Sequence, residues 1–157
     1  MLTRNELAKQ RWGGAHAAID AWLQERQNLL VEYFMLAGLA PYGRETQALP
    51  AATDITHFTG LLMDYVSAGH FDIYEKIVRN SHEAPDELLQ HAKEELLPRI
   101  GETTNVALDF HDRYAHITPD TELPTFDDDL SVLGVALSLR MELEDQLVTM
   151  LEQHQLL

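Results

Sequence analysis

The sequence predicts an all-α fold: an antiparallel up-down four-helix bundle with a short extra helix at the N-terminus. Three observations predict it. Apolar residues recur at three- and four-residue steps in four separate segments. The connections between those segments are short and hold most of the prolines. No stretch alternates apolar and polar residues in the manner of a half-buried strand.

Residues 3–12 suit a short helix that Gly13-Gly14 breaks. From Ala15 to about Ala37 the inward stripe is Ile19, Trp22, Leu23, Leu29, Leu30, Tyr33 and Leu36, and Gly38 suits the C-cap. Residues 39–52 carry two prolines and a glycine and read as a loop. Thr53 or Asp54 would cap the next helix, which runs to about Arg79. A turn at Asn80–Pro85 leads to a helix from Asp86 to about His116, with Leu89, Leu96, Thr103, Ala107, Phe110 and Tyr114 on one side. Pro98 lies inside it, where a kink or a break is expected. After a loop at Ile117–Pro124, Thr125 is a good N-cap, and Asp127, Asp128 and Asp129 suit the positive end of the helix dipole. The last helix runs to about Gln153 along Leu130, Leu133, Leu137, Met141, Val148 and Leu151.

A chain of 157 residues fits one domain, residues 1–157, and can bury a real core. There is no internal repeat, low-complexity tract or domain linker. No run of eighteen apolar residues occurs, so no membrane partner is expected. The polar N-terminus lacks a signal-peptide segment and there are no cysteines, which together suggest a soluble, cytoplasmic protein. The charge is lopsided: 26 acids against 11 Lys and Arg, formally −15. Such a chain repels phosphate backbones, so direct nucleic-acid binding is not expected, and a basic partner is favoured.

The stretch Leu61–Arg79, LLMDYVSAGHFDIYEKIVR, has two faces. Leu62, Val66, Ile73 and Ile77 form a core stripe, with Tyr65 and Gly69 beside them. The opposite face carries Leu61, Asp64, Ser67, Ala68, Phe71, Glu75 and Val78. An aromatic ringed by acids on an outward face suggests a contact site. The competing reading is a helix covered on both sides by neighbours. His70 points the other way, toward the apolar stripe, where a hydrogen-bonded core histidine is the simplest role.

The block DYVSAGHFDIYE at Asp64–Glu75 resembles the signature of the Rsd/AlgQ family of anti-sigma factors, regulators that bind the housekeeping sigma factor. WLQERQNLLVEYF at Trp22–Phe34 and LGVALSLRMELEDQLV at Leu133–Val148 agree in order and spacing, and RWGG at Arg11–Gly14 resembles the start of the family's second helix. The resemblance covers nearly the whole chain; the loop 39–52 and the segment 117–128 match no family pattern. It implies a protein that binds region 4 of the housekeeping sigma factor, a basic helix-turn-helix, and hinders its contacts with core polymerase and the −35 element. It also maps Asp64, Ser67 and Phe71 to the sigma-binding face. The helical wheel adds Leu61, Ala68, Glu75 and Val78.

Three helices each place one ionisable residue in an apolar stripe: Arg26, His70 and Glu144, with Arg140 at the edge of the last stripe. Buried charges need partners, so these groups are expected to meet. Arg26 and Glu144 would form an ion pair, His70 or Tyr74 would complete the hydrogen bonds, and Trp22 would stack on Arg26. A structural network, a ligand cavity and a metal site are the competing readings. Four-helix carboxylate sites need a Glu-x-x-His pair on each of two helices, and the sequence has none. No metal or cofactor is therefore expected. No P-loop, dinucleotide fingerprint or nucleophile elbow is present, so no enzyme is expected either. The alternative to the anti-sigma reading is a bundle that binds a metal or small ligand at the Arg/His/Glu cluster.

Overall fold

The computed structural model describes residues 1–14, 17–39, 49–69 and 86–153. These form α1 (Leu2–Trp12), α2 (Ala17–Ala37), α3 (Ala52–Ala68), α4 (Asp86–His91), a π-helical turn (Ala92–Leu96), α5 (Leu97–Tyr114) and α6 (Phe126–Gln153). Among the described residues every regular element is helical. No helix is long and apolar enough to cross a membrane.

Each helix end has a local cause. The first turn of α6 holds Asp127, Asp128 and Asp129 against the unpaired N–H groups, as the dipole favours. Thr125 precedes it, accepting the Asp129 N–H on its carbonyl at 2.9 Å and donating its hydroxyl to the Asp129 carboxylate at 3.0 Å. Gly38, at φ +65°, closes α2. Its N–H donates to the Met35 carbonyl, and the Leu39 N–H donates to that of Phe34, the paired bonds of a Schellman motif. Gly14 takes φ +80° and donates its N–H to Asp20 at 2.7 Å, turning the chain from α1 toward α2.

Two boundaries differ from expectation, and one break falls where it was expected. Ala51, not Thr53 or Asp54, is the N-cap of α3, and no side chain bonds there. The helix starts at Ala52 because the extended Ala51 carbonyl accepts both the Asp54 and Ile55 N–H groups. Thr53 and Asp54 thus sit inside the first turn. At Pro98 the expected helix does fall into pieces: α5 starts at Leu97, with Pro98 in its first turn. The chain widens into a π turn just before it, and the Leu97 N–H reaches back five residues to the Ala92 carbonyl. That wider turn precedes the one missing donor that Pro98 imposes. Lastly, α5 ends at Tyr114 rather than His116. The expected helix beyond Gly69 and the turn at Asn80–Pro85 lie outside the described residues.

Helix α3 packs on α2 and α5, and α6 packs on α5 and α2, so α3 and α6 face each other across the core. That core runs along Trp22, Leu29, Leu30, Phe58, Leu62, Ile100, Leu137, Met141 and Leu147, all buried. At one end the rings of Phe58, Phe110, Tyr114 and Phe126 meet edge-on or tilted.

Candidate functional site: the outer face of α3 and the polar network behind it

Helix α3 buries Ile55, Phe58, Thr59, Leu62, Tyr65 and Val66. That stripe fixes what the other side presents. Asp64 and Ser67 are exposed, and Leu61 and Ala68 are half-buried at the edges. Asp64 and Ser67 are three apart and therefore neighbours on the surface. Phe71, Glu75 and Val78 lie outside the described residues, so only the N-terminal half of the expected face is placed.

Behind this face is a chain of buried polar groups. Arg26 and Glu144 are fully buried. Arg26 Nη2 lies 3.3 Å from Glu144 Oε2, and Nη1 lies 2.7 Å from Asp145 Oδ1. The Trp22 ring stacks on the guanidinium, with its centroid 4.2 Å away. Arg140 Nε donates to Glu144 Oε1 at 2.8 Å. Its Nη1 donates to the hydroxyls of Thr103 and Thr104 on α5, at 3.2 and 2.8 Å. Tyr65 joins from α3: its hydroxyl donates to Glu144 Oε2 and accepts from Arg26 Nε at 3.3 Å. Glu144 thus ties four helices together, through Arg26 on α2, Tyr65 on α3 and, by way of Arg140, Thr103 and Thr104 on α5.

Two guanidinium groups face two carboxylates, so the buried charge balances. Burial alone would lower the Arg26 pKa, but the Tyr65 hydroxyl and the Glu144 and Asp145 carboxylates outweigh it and hold it raised. Burial pushes the Tyr65 phenol well above its ordinary value, and Glu144 adds to the shift while Arg26 opposes it. Burial also raises Asp145, against the pull of Arg26.

Several of these partners were not evident in the sequence. Arg140 is buried rather than at the edge of its stripe, because Thr103 and Thr104 supply acceptors on the neighbouring helix. Tyr65, read as a flank of the core stripe, supplies the hydroxyl for which His70 and Tyr74 were candidates. Those two lie outside the described residues. Asp145, next to Glu144, gives Arg26 a second carboxylate. Among the described residues no group of three His, Cys, Asp or Glu side chains could hold a metal.

Residues 1–152 match the model of the family described as regulator of RNA polymerase sigma(70) subunit, Rsd/AlgQ. The chain belongs to the Rsd/AlgQ family. Among curated proteins it is similar to the regulator of sigma D of Yersinia pseudotuberculosis, strain IP 31758, at 37% identity over 149 residues, covering 94% of this chain and 87% of that one. The Yersinia enterocolitica regulator of sigma D is 37% identical over 150 residues, covering 94% and 88%. That of Salmonella paratyphi B is 36% identical over 149 residues, covering 94% and 90%. The family is one of regulators of an RNA polymerase sigma subunit. The match spans α1 to α6 almost completely, so the buried network and the α3 face both lie within family-matched chain.

Proposed function

We propose that this chain is a cytoplasmic anti-sigma factor that binds region 4 of the housekeeping sigma factor and so modulates transcription initiation. The sigma-binding face consists of Asp64, Ser67 and Phe71, with Leu61, Ala68, Glu75 and Val78 around them. The fold that carries it is a single antiparallel up-down bundle, in keeping with the packing of successive helices α2 on α3, α3 on α5 and α5 on α6.

The observation that carries this reading is the outward placement of Asp64 and Ser67, opposite the buried Leu62, Tyr65 and Val66. A net −15 chain with an acidic, partly apolar face suits a basic helix-turn-helix partner, both in steering and in contact. An acid-rimmed surface also competes with DNA phosphates for the same basic residues. Family membership and the names of the relatives support the same partner. The alternative reading, a ligand or metal site at Arg26, His70 and Glu144, has less support, because the Arg26 guanidinium and the Glu144 carboxylate already have protein partners. A network that holds the register of α3 against α2 and α6 accounts for them.

The test is direct binding of the full chain to isolated sigma region 4, with Asp64→Ala and Phe71→Ala beside the wild type. Submicromolar binding that both substitutions weaken supports the proposal. Binding to a different sigma segment, with region 4 inert, overturns it.

A further inference from the structure

The outward face of α6 is unusually apolar for a surface helix. Val132 is 60% exposed and Val135 is 74% exposed, with Leu139 partly buried one turn on. At 132, 135 and 139 the three form one stripe along the helix. Exposed Asp128 precedes the stripe and exposed Glu142 follows it. Beside Val132, between α5 and α6, is a dimple of about 190 Å³. Val106, Phe110 and Tyr114 supply its apolar wall, and Asp109 and Arg113 stand at its rim. Arg113 is held by Asp129 at 3.0 Å, and Asp109 stands beside it as a second rim carboxylate, so acids outnumber bases around the dimple.

We propose that Val132, Val135, Leu139 and the adjoining dimple are a second docking surface, which takes a basic amphipathic helix of a partner protein. A ridge beside a hole sized for one large apolar side chain is the complement of an amphipathic helix laid along α5 and α6. Charge decides among occupants. Asp109, Asp128 and Glu142 favour lysine or arginine at the flanks of the incoming helix. A second copy of this chain brings another −15 against the same acids. A bilayer with anionic headgroups is repelled for the same reason. The surface is distinct from the described part of the α3 face, because α3 packs chiefly on α2 and α5, and α6 chiefly on α5.

The test uses the full chain and three labelled synthetic peptides in fluorescence anisotropy. One is a Lys/Leu helix with leucines at i, i+3, i+4 and i+7. The second keeps that pattern with Glu in place of Lys. The third scrambles the Lys/Leu order so that no apolar face remains. The variant is Val132→Ser/Val135→Ser, with melting checked against the wild type; these side chains are exposed, so the fold should hold. The first peptide should bind the wild type and lose at least about tenfold on the double variant, and the other two should bind far more weakly. Sigma region 4 affinity should be unchanged in the double variant. Equal Lys/Leu binding by wild type and double variant overturns the proposal. So does a sedimentation dimer that the double substitution converts to monomer, which makes the occupant a second copy. Loss of sigma region 4 binding in the double variant, with Asp64→Ala also impaired, assigns the stripe to the sigma interface instead.

Discussion

Tyr33 crosses α6 at Gly134: its hydroxyl donates to the Leu130 carbonyl at 3.0 Å, in the space that a side chain at 134 would fill. A methyl group there would overlap the phenol oxygen. The glycine therefore lets α2 approach α6 closely while a buried hydroxyl finds an acceptor.

Gly134→Ala should consequently destabilise the protein. In an exposed helix interior the same change gains up to about 1 kcal/mol. Here overpacking should reverse the sign and cost roughly 1–3 kcal/mol. Chemical denaturation of Gly134→Ala and of Gly134→Ala/Tyr33→Phe measures this. The double variant should recover part of the loss, because the clashing oxygen is gone. A more stable Gly134→Ala protein would contradict the geometry.

Glu144→Ala strips the acceptor shared by Arg26, Arg140 and Tyr65. Removing one partner of a buried ion pair costs about 3–5 kcal/mol, and that loss is expected here. Glu144→Gln keeps the shape and one acceptor and should cost less. Asp145→Asn should cost less again, since that carboxylate is partly exposed. Thermal melting of the three variants gives the order; a Glu144→Ala protein that melts like wild type would place Glu144 at the surface.

The junction of α5 and α6 should show itself at high pH. Tyr114 donates its hydroxyl to Asp129, and burial, with that hydrogen bond, pushes the phenol up to about 12. A folded pKa above the unfolded value near 10 stabilises fully below pH ~10 and is lost as pH rises toward 12. Tyrosinate absorbance should therefore include a phenol that titrates near 12, and Asp129→Asn should shift it down. Asp129 has the opposite sign. Burial would raise it, but the donors Tyr114, Arg113 and Thr125 outweigh that and hold it below its ordinary value. Its contribution is present above the ordinary carboxylate range and fades as pH falls through the depressed value. Asp129→Asn should flatten stability against pH on the acid side below pH ~4; an unchanged acid limb would remove Asp129 from the account.

On the α3 side, Phe71→Ala should weaken sigma region 4 binding by about 2 kcal/mol or more, as buried aromatic anchors do, with little change in melting. Asp64→Ala should weaken it less, and added salt should blunt the Asp64 effect more than that of Phe71. Should Phe71→Ala melt early yet bind at full strength, the residue belongs to the core and not to the interface.

The helical segments, the acidity and the inward direction of Arg26 and Glu144 are all legible in the sequence, because helical periodicity fixes the azimuth of a side chain about its own axis. The outward direction of Asp64 and Ser67 follows from the same rule. Azimuth says nothing of what stands opposite. Tyr65 and Asp145 as partners of Arg26, and Thr103 and Thr104 as acceptors for Arg140, depend on how far each helix slides along its neighbour. Hydrogen bonds resolve that slide to within an ångström or so. The π turn before Pro98 is a similar case, since proline announces a lost donor but not which neighbouring turn will widen to absorb it. The bare Val132–Val135 ridge was hidden for the complementary reason. Pattern marks an apolar residue as one to bury, and only the packed arrangement of α5 against α6 decides which side of a helix is left without a neighbour.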